Sequence, residues 1–124
     1  MPITKKTRIL VVDDEPDVVV LISSFLAEEG FKVYTATRPS QALEHLKNYP
    51  IDLAIIDIAM HEMNGIELLK RMKEIKPDLE AIMITAYKDA EKVVEAFRLG
   101  AFDCIFKPFD LKYLRKAIMA KMLE

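Results

Sequence analysis

The sequence predicts an α/β fold built on a doubly wound sheet of five parallel strands. Five short apolar runs rich in β-branched residues each precede a longer segment with helical periodicity. The predicted strands are continuously apolar rather than alternating, which is typical of strands buried on both faces of a parallel sheet. Right-handed crossovers in a chain of 124 residues favour the strand order 2-1-3-4-5.

The first strand is predicted over 8–12 and the first helix over 16–29. Apolar residues in this helix recur at i, i+3, i+4, i+7 and i+8, which is typical of a helix buried on one side. They are Val18, Leu21, Ile22, Phe25 and Leu26. We expect Asp14 to cap the helix, Pro16 to occupy its first turn and Gly30 to end it.

The central elements are a strand over 32–35, a short helix over 40–47 and a wholly apolar strand over 53–56 that ends at Asp57. A helix over 65–76 follows a loop. Its residues Ile66, Leu69 and Met72 share one face at helical spacing, so we expect them to point into the core.

The last part of the chain repeats the alternation twice. A strand over 81–84 ends at Thr85, and a helix over 89–99 is closed by Gly100. A strand over 103–106 then ends at Lys107. Asp110 is expected to cap a final helix, whose apolar side consists of Leu111, Leu114, Ile118 and Met122.

The amino-acid composition of the chain argues against several classes of protein. The 18 basic and 20 acidic residues nearly balance, which argues against a general nucleic-acid binder, and 52% hydrophobic residues argue against disorder. The single cysteine, Cys104, excludes an internal disulfide and a multi-cysteine zinc site. The longest apolar run, 18–22, is far shorter than the roughly 20 residues that span a bilayer. We therefore expect one cytoplasmic domain over 1–124, with its core at about 8–123, that binds neither nucleic acid nor membrane.

Polar residues follow the predicted strands where each strand ends. In an open parallel sheet, ligands bind beyond the carboxyl ends of the strands, at the point where the strand order reverses. That point lies between the first and third strands, so Asp13, Asp14 and Asp57 should converge there. Thr85 and Lys107 end the two neighbouring strands.

Crowded carboxylates either raise one another's pKa or bind a divalent cation, and hard oxygen ligands suit Mg²⁺. Lys107 adds a positive charge and Thr85 a hydroxyl, so the group predicts a site for a phosphoryl group beside an aspartate. Each residue alone has a structural explanation: Asp14 as a helix cap, Asp57 as a turn residue and Lys107 as a solvated lysine. Their placement at one edge of one sheet favours the site.

Six short motifs in this order resemble those of the receiver domain of two-component response regulators. They are LVVDDE at 10–15, IIDIAM at 55–60, NG at 64–65, TAY at 85–87, GA at 100–101 and KPF at 107–109. The resemblance covers nearly the whole chain and is closest to sporulation-phosphorelay and nitrogen-regulator receivers. It implies the CheY-like form of the flavodoxin-like fold.

The resemblance also implies roles for the site residues. Asp57 would be the phosphoacceptor, taking a phosphoryl group from a phosphohistidine on a sensor histidine kinase or a histidine phosphotransfer protein. Asp14, Asp57 and the carbonyl of Ala59 would bind Mg²⁺ directly, and Asp13 would hold the ion through water. Such a domain is a switch rather than an enzyme, since it catalyses only its own phosphorylation and slow dephosphorylation.

Three further family features concern the response to phosphorylation. Lys107 would pair with the phosphoryl oxygens, Thr85 would turn toward them, and the Lys107–Pro108 peptide would be cis. The signal would pass to an effector or output domain through the face of the fourth helix, fifth strand and fifth helix, in a monomer or a phosphorylation-dependent dimer. In this chain that face would include Lys88, Lys92, Glu95, Phe106, Lys112 and Tyr113.

The chain departs from the family pattern at several positions. Cys104 stands where receivers often carry a switch aromatic, and His61 stands where a proline is usual. We expect His61 to be a solvated loop residue rather than a catalytic one. Neither Ala59 nor Tyr87 can direct a hydrolytic water, which predicts a long-lived phosphoryl state.

Three alternatives share parts of the pattern. A haloacid-dehalogenase-like phosphatase also uses an aspartate nucleophile, but it needs a second aspartate where this chain has Ala59. A flavodoxin-like FMN binder would not place Asp13 and Asp14 against a phosphate. A pseudo-receiver that only binds proteins is disfavoured because Asp57, Lys107 and Thr85 are all present.

Overall fold

The computed structural model describes residues 7–86 and 90–122. Strands and helices alternate along the chain, as the hydrophobic pattern predicts. The elements are β1 (Arg8–Val12), α1 (Pro16–Glu28), β2 (Lys32–Ala36), α2 (Pro39–Asn48), β3 (Leu53–Asp57), α3 (Gly65–Ile75), β4 (Glu80–Thr85), α4 (Ala90–Arg98), β5 (Asp103–Phe106) and α5 (Leu111–Met122). The five strands form one parallel sheet in the order β2-β1-β3-β4-β5, which confirms the predicted topology.

The sheet separates two apolar clusters. Alternate residues of each strand point to opposite faces, so Leu10 packs with α2, α3 and α4, whereas its neighbour Ile9 packs with α1 and α5. The inward residues predicted for α3, Ile66, Leu69 and Met72, are all buried. The central strands β1, β3 and β4 are therefore covered on both sides, which explains their unbroken apolar sequences.

Two predictions about α1 are wrong. Leu21, which was predicted to lie on the buried side of the helix, is 57% exposed, whereas Val19, which was not among the residues predicted for that side, is 5% exposed. At about 100° per residue, a face centred on Val19, Ile22 and Leu26 leaves Leu21 pointing away from the sheet. Asp14 does not cap the helix either, because the N-cap position is occupied by Glu15 and has no side-chain cap bond.

The glycines predicted to end the first and fourth helices are found just after α1 and α4. Gly30 and Gly100, which follow α1 and α4, have φ angles of 98° and 100°, a left-handed conformation that other residues rarely adopt. The predicted start of α4 at Asp89 lies outside the described residues. Within 7–86 and 90–122, no helix combines the length and apolar composition required to cross a membrane.

Candidate functional site

The carboxyl ends of the strands bring the predicted site residues together. Asp13 and Asp14 follow β1, and Asp57 is the last residue of β3, which lies beside β1. One carboxylate oxygen from each of these residues lies within 4.8 Å of the others. Asp13 and Asp57 are almost completely buried, and Asp14 is half-buried. The convergence predicted from the strand order is therefore observed.

Lys107, which follows β5, places its ammonium group among these carboxylates. Its Nζ atom donates to Oδ2 of Asp13 at 2.9 Å and to Oδ2 of Asp57 at 3.3 Å. A third contact, to Oε1 of Glu15 at 3.4 Å, was not predicted from the sequence. The Glu15 side chain is 66% exposed, so solvent screens this pair more than the other two.

The charge balance at the site is reflected in the pKa of Asp57. Burial and the neighbouring charge of Asp13 raise this pKa from 3.8 to about 6, although Lys107 and the backbone N–H of Ala59 act in the opposite direction. Burial alone would lower the pKa of Lys107. The hydrogen bond to Asp13 and the charges of Asp57 and Asp13 outweigh burial, and the pKa of Lys107 is raised.

The loop between β3 and α3 fixes the backbone around Asp57. The side chain of Asn64 caps α3 by accepting a hydrogen bond from the N–H of Glu67 at 2.9 Å. The N–H of Gly65 donates to the carbonyl of Ile58 at 2.7 Å. A Cβ atom at Gly65 would lie 2.3 Å from the carbonyl oxygen of Asp57. Only glycine lets the helix begin this close to the end of the strand.

Asp14 is held from the β3–α3 loop rather than from its own helix. Its Oδ2 atom accepts a hydrogen bond from the backbone N–H of His61 at 3.1 Å and lies 2.5 Å from His61 Nδ1. The His61 side chain is 96% exposed, as expected for a loop residue, yet it contacts a predicted metal ligand. The two residues are 47 positions apart, and no local sequence pattern signals their contact.

The remaining predicted residues lie around Asp57. The N–H of Ala59 donates to Oδ1 of Asp57 at 3.1 Å. Thr85 is 1% exposed, and its carbonyl accepts a hydrogen bond from the N–H of Lys107 at 2.8 Å. The Lys107–Pro108 peptide is cis, as the resemblance predicted. Cys104 is a free thiol on β5 that packs against the α2–α3–α4 cluster.

The donor set fits a hard divalent cation. Three carboxylates within reach of one another supply oxygen ligands, which Mg²⁺ prefers, and they leave part of an octahedral shell for water and phosphate oxygens. Lys107 meets the same carboxylates from β5, so the site holds positive charge on one side and acidic oxygens on the other. Such a site can neutralise a phosphoryl group placed beside Asp57.

The response regulator receiver domain family matches residues 9–119. The chain belongs to this family. Receiver domains are phosphorylation-dependent switches rather than conventional enzymes, they bind Mg²⁺ at an acidic cluster, and they work with histidine kinases or phosphotransfer proteins. Asp13, Asp14 and Asp57 form such an acidic cluster in this receiver domain.

Curated relatives agree with this assignment. The receiver domain is 41% identical over 111 residues to regulatory protein AtoC of Escherichia coli, covering 90% of this chain and 24% of that protein. It is 35% identical over 111 residues to sporulation initiation phosphotransferase F of Bacillus subtilis, covering 90% of each. Response regulator SaeR of Staphylococcus aureus is 39% identical over 108 residues, which cover 87% of this chain and 47% of SaeR. The chain thus spans about a quarter of AtoC, half of SaeR and most of the phosphotransferase.

Solved structures agree as well. A CheY-like receiver domain protein from Methanospirillum hungatei superposes with a TM-score of 0.90 at 32% identity, covering 94% of this chain and 93% of that one. The NtrX receiver domain of Brucella abortus gives 0.87 at 33% identity, with 93% and 98% covered. A CheY in a CheX–CheY–BeF₃–Mg²⁺ complex from Borrelia burgdorferi gives 0.86 at 30% identity, with 92% and 87% covered.

Proposed function

We propose that this receiver domain accepts a phosphoryl group on Asp57 from a phosphohistidine in a Mg²⁺-dependent reaction. The observation that carries the proposal is the position of Asp57, which is buried between two other carboxylates and the ammonium group of Lys107. The donor would be a sensor histidine kinase or a histidine phosphotransfer protein. The phosphorylated domain would then act on an effector or output domain.

In the proposed transfer, a carboxylate oxygen of Asp57 forms a bond to phosphorus as the bond between phosphorus and the donor imidazole nitrogen breaks. The product is an acyl phosphate, and the donor histidine leaves with the electron pair of the broken bond. Asp14, Asp57 and the carbonyl of Ala59 would hold Mg²⁺, with Asp13 acting through water. The bound ion supplies positive charge that stabilises the oxygens of the transferring group.

Lys107 contributes the second positive charge. Its ammonium group already lies 3.3 Å from Asp57 Oδ2, so a small movement toward a phosphoryl oxygen would replace this contact with a stronger one. The hydrogen bond to Asp13 keeps the lysine at the site during this exchange. The role of Lys107 is thus to stabilise negative charge that develops on the phosphoryl group.

Output is proposed to follow from Thr85 and the face formed by α4, β5 and α5. Thr85 ends the strand beside β3, so its hydroxyl can turn toward a phosphoryl group on Asp57. The described residues of that face are exposed, including Phe106 at 37% and Tyr113 at 51%. Lys88 lies outside the described residues. A change in this face would alter its fit to a partner or to a second copy of the domain.

The phosphoryl group is proposed to be long-lived. Ala59, two residues after Asp57, carries no amide or acid to orient an attacking water. Tyr87, the residue at the other position from which a side chain could direct a hydrolytic water, lies outside the described residues. Retention of the phosphoryl group in purified protein for much longer than seconds is the expected result.

Intact mass spectrometry tests the proposal. Wild-type protein incubated with acetyl phosphate and Mg²⁺ should gain one phosphoryl mass, and both Asp57→Ala and removal of Mg²⁺ should abolish the gain. Asp78→Ala, at an exposed aspartate, is the matched control and should be phosphorylated normally. If wild type gains no mass, beryllofluoride binding distinguishes two explanations. A receiver that is selective for its own phosphohistidine donor should still bind beryllofluoride, whereas a pseudo-receiver should bind neither beryllofluoride nor a phosphoryl group.

A further inference from the structure

Glu15 lies at the N-cap position of α1, but its side chain makes no capping hydrogen bond. Its backbone N–H donates to Oδ1 of Asp13 at 2.9 Å, and its carbonyl accepts from the N–H groups of Val18 and Val19 at 3.1 and 3.2 Å. The backbone of this residue is therefore held between the acidic cluster and the first turn of the helix. From this fixed point the side chain extends to the ammonium group of Lys107.

Three carboxylates surround the ammonium group of Lys107, one for each of its N–H donors. The contacts to the two aspartates, Asp13 and Asp57, are 2.9 and 3.3 Å long, and the contact to Glu15 is the longest at 3.4 Å. The partners also differ in burial, because the two aspartate side chains are 0% and 3% exposed and that of Glu15 is 66% exposed. Glu15 thus draws the ammonium group toward solvent, and the aspartates draw it toward the interior.

We propose that Glu15 is a positioning residue, which restrains Lys107 in the unphosphorylated domain and releases it when a phosphoryl group reaches Asp57. This role depends on the proposed function. A phosphoryl group adds acceptor oxygens, so Lys107, with three donors already matched, must give up a partner. Releasing Glu15 costs least, because water can solvate its exposed carboxylate, whereas Asp13 would become a buried, unpaired charge. The contact to Glu15 is already long for a hydrogen bond, so a small inward movement of the lysine ends it.

The rate of phosphoryl uptake is the first test. Glu15→Gln keeps the side-chain length and an acceptor oxygen but removes the charge, so Lys107 should move to the phosphoryl group more readily. With acetyl phosphate and Mg²⁺, intact mass spectrometry should show uptake about two- to fivefold faster than in wild type, the scale of an exposed ion pair. Glu74→Gln removes the same charge at an exposed residue in the last turn of α3, and should leave the rate unchanged. An unchanged or slower rate in Glu15→Gln would overturn the inference.

A competing explanation is that the charge of Glu15 only repels an anionic donor. NMR of protein with isotope-labelled lysines separates the two explanations, because it observes the Cε methylene of Lys107, which the signal missing from Lys107→Met identifies. This signal should differ between wild type and Glu15→Gln in the free protein, and the difference should disappear when beryllofluoride, a phosphoryl analogue, is bound. Signals that coincide in both states indicate repulsion alone, and a difference that persists indicates that Glu15 is not released. Either result overturns the inference.

The same measurements distinguish failure of the inference from failure of the proposed function. If wild type gains a phosphoryl mass and binds beryllofluoride, but Glu15→Gln changes neither the rate nor the Lys107 signal, only the role of Glu15 is lost. If wild type neither gains the mass nor binds beryllofluoride, the proposed function and the inference fail together.

Discussion

Lys107 and Asp13, 94 positions apart in the chain, are joined by a hydrogen bond of 2.9 Å at the carboxyl edge of the sheet. The same ammonium group contacts Asp57. Lys107 therefore partly neutralises two buried carboxylates, and we expect it to compete with a cation that binds them.

Lys107→Met should tighten Mg²⁺ binding by about three- to tenfold, because the substitution removes a positive charge from beside the carboxylates. It should also lower the free energy of unfolding of the metal-free protein by about 2–3 kcal/mol, since Asp13 loses its charged partner. Calorimetric titration and urea unfolding in EDTA measure the two effects. Lys47→Met, at an exposed residue of α2, should change neither quantity. Weaker Mg²⁺ binding in Lys107→Met would contradict the competition.

The raised pKa of Asp57 predicts a pH-dependent effect of Asp57→Asn in metal-free protein. Folding raises this pKa from 3.8 to about 6, so the group stabilises the folded protein below about pH 3.8 and the stabilisation is lost as the pH rises through 6. The stability of Asp57→Asn relative to wild type should therefore decrease by about 1 kcal/mol as the pH falls from 7 to 5.

Urea unfolding in EDTA at pH 5, 6, 7 and 8 measures this dependence. Asp78→Asn is the control, because its side chain is 86% exposed and should show no comparable trend. A stability difference between Asp57→Asn and wild type that is constant with pH would show that folding does not raise the pKa of Asp57.

Gly65→Ala should disturb both stability and the site. The added Cβ would meet the Asp57 carbonyl and the Ile58 backbone at 2.3 and 2.8 Å, so the strand end must shift. We expect a loss of about 1–3 kcal/mol in the free energy of unfolding and weaker Mg²⁺ binding.

Gly30→Ala is the control variant for Gly65→Ala. It introduces strain at a φ of 98° and should cost about 1–2 kcal/mol, but it lies at the opposite end of α1 from the site. Mg²⁺ affinity should be unchanged in Gly30→Ala. Equal Mg²⁺ affinities in the two variants would show that the contact at Gly65 does not position Asp57.

Cys104 should be an unreactive thiol. Burial and the charge of Asp103 raise its pKa, so less thiolate is present at pH 8 than in an unperturbed cysteine. Alkylation by iodoacetamide, followed by mass spectrometry, should be at least about tenfold slower in folded than in urea-unfolded protein. Equal rates would indicate an open, solvated thiol at this position.

Much of the fold was predictable because its signals are local. The unbroken apolar run of β3 and the helical spacing of Ile66, Leu69 and Met72 each identify an element without reference to the rest of the chain. The convergence of Asp13 and Asp57 followed from strand order alone. The element boundaries then differed from prediction by only a few residues, as with β2, which extends to Ala36.

The errors and omissions have a common physical origin, which is contact between distant segments. Three consecutive valines followed by Leu21 give α1 several equally apolar faces, and only the sheet selects the one that includes Val19. Asp14 follows β1 at a position suited to a helix cap, but its carboxylate is bound by His61 from a different loop. No pattern within either segment contains that information.

The division of the interior by the sheet has a mechanical consequence for the domain. Neighbouring residues such as Ile9 and Leu10 belong to different apolar clusters. A change in side-chain volume on one face of the sheet therefore reaches the other face only through the backbone of the strands. The proposed output face takes α4 from one layer and α5 from the other, and β5, the edge strand of the sheet, lies between them. The sheet separates the two apolar clusters, and the polar edge at its carboxyl end borders both of them.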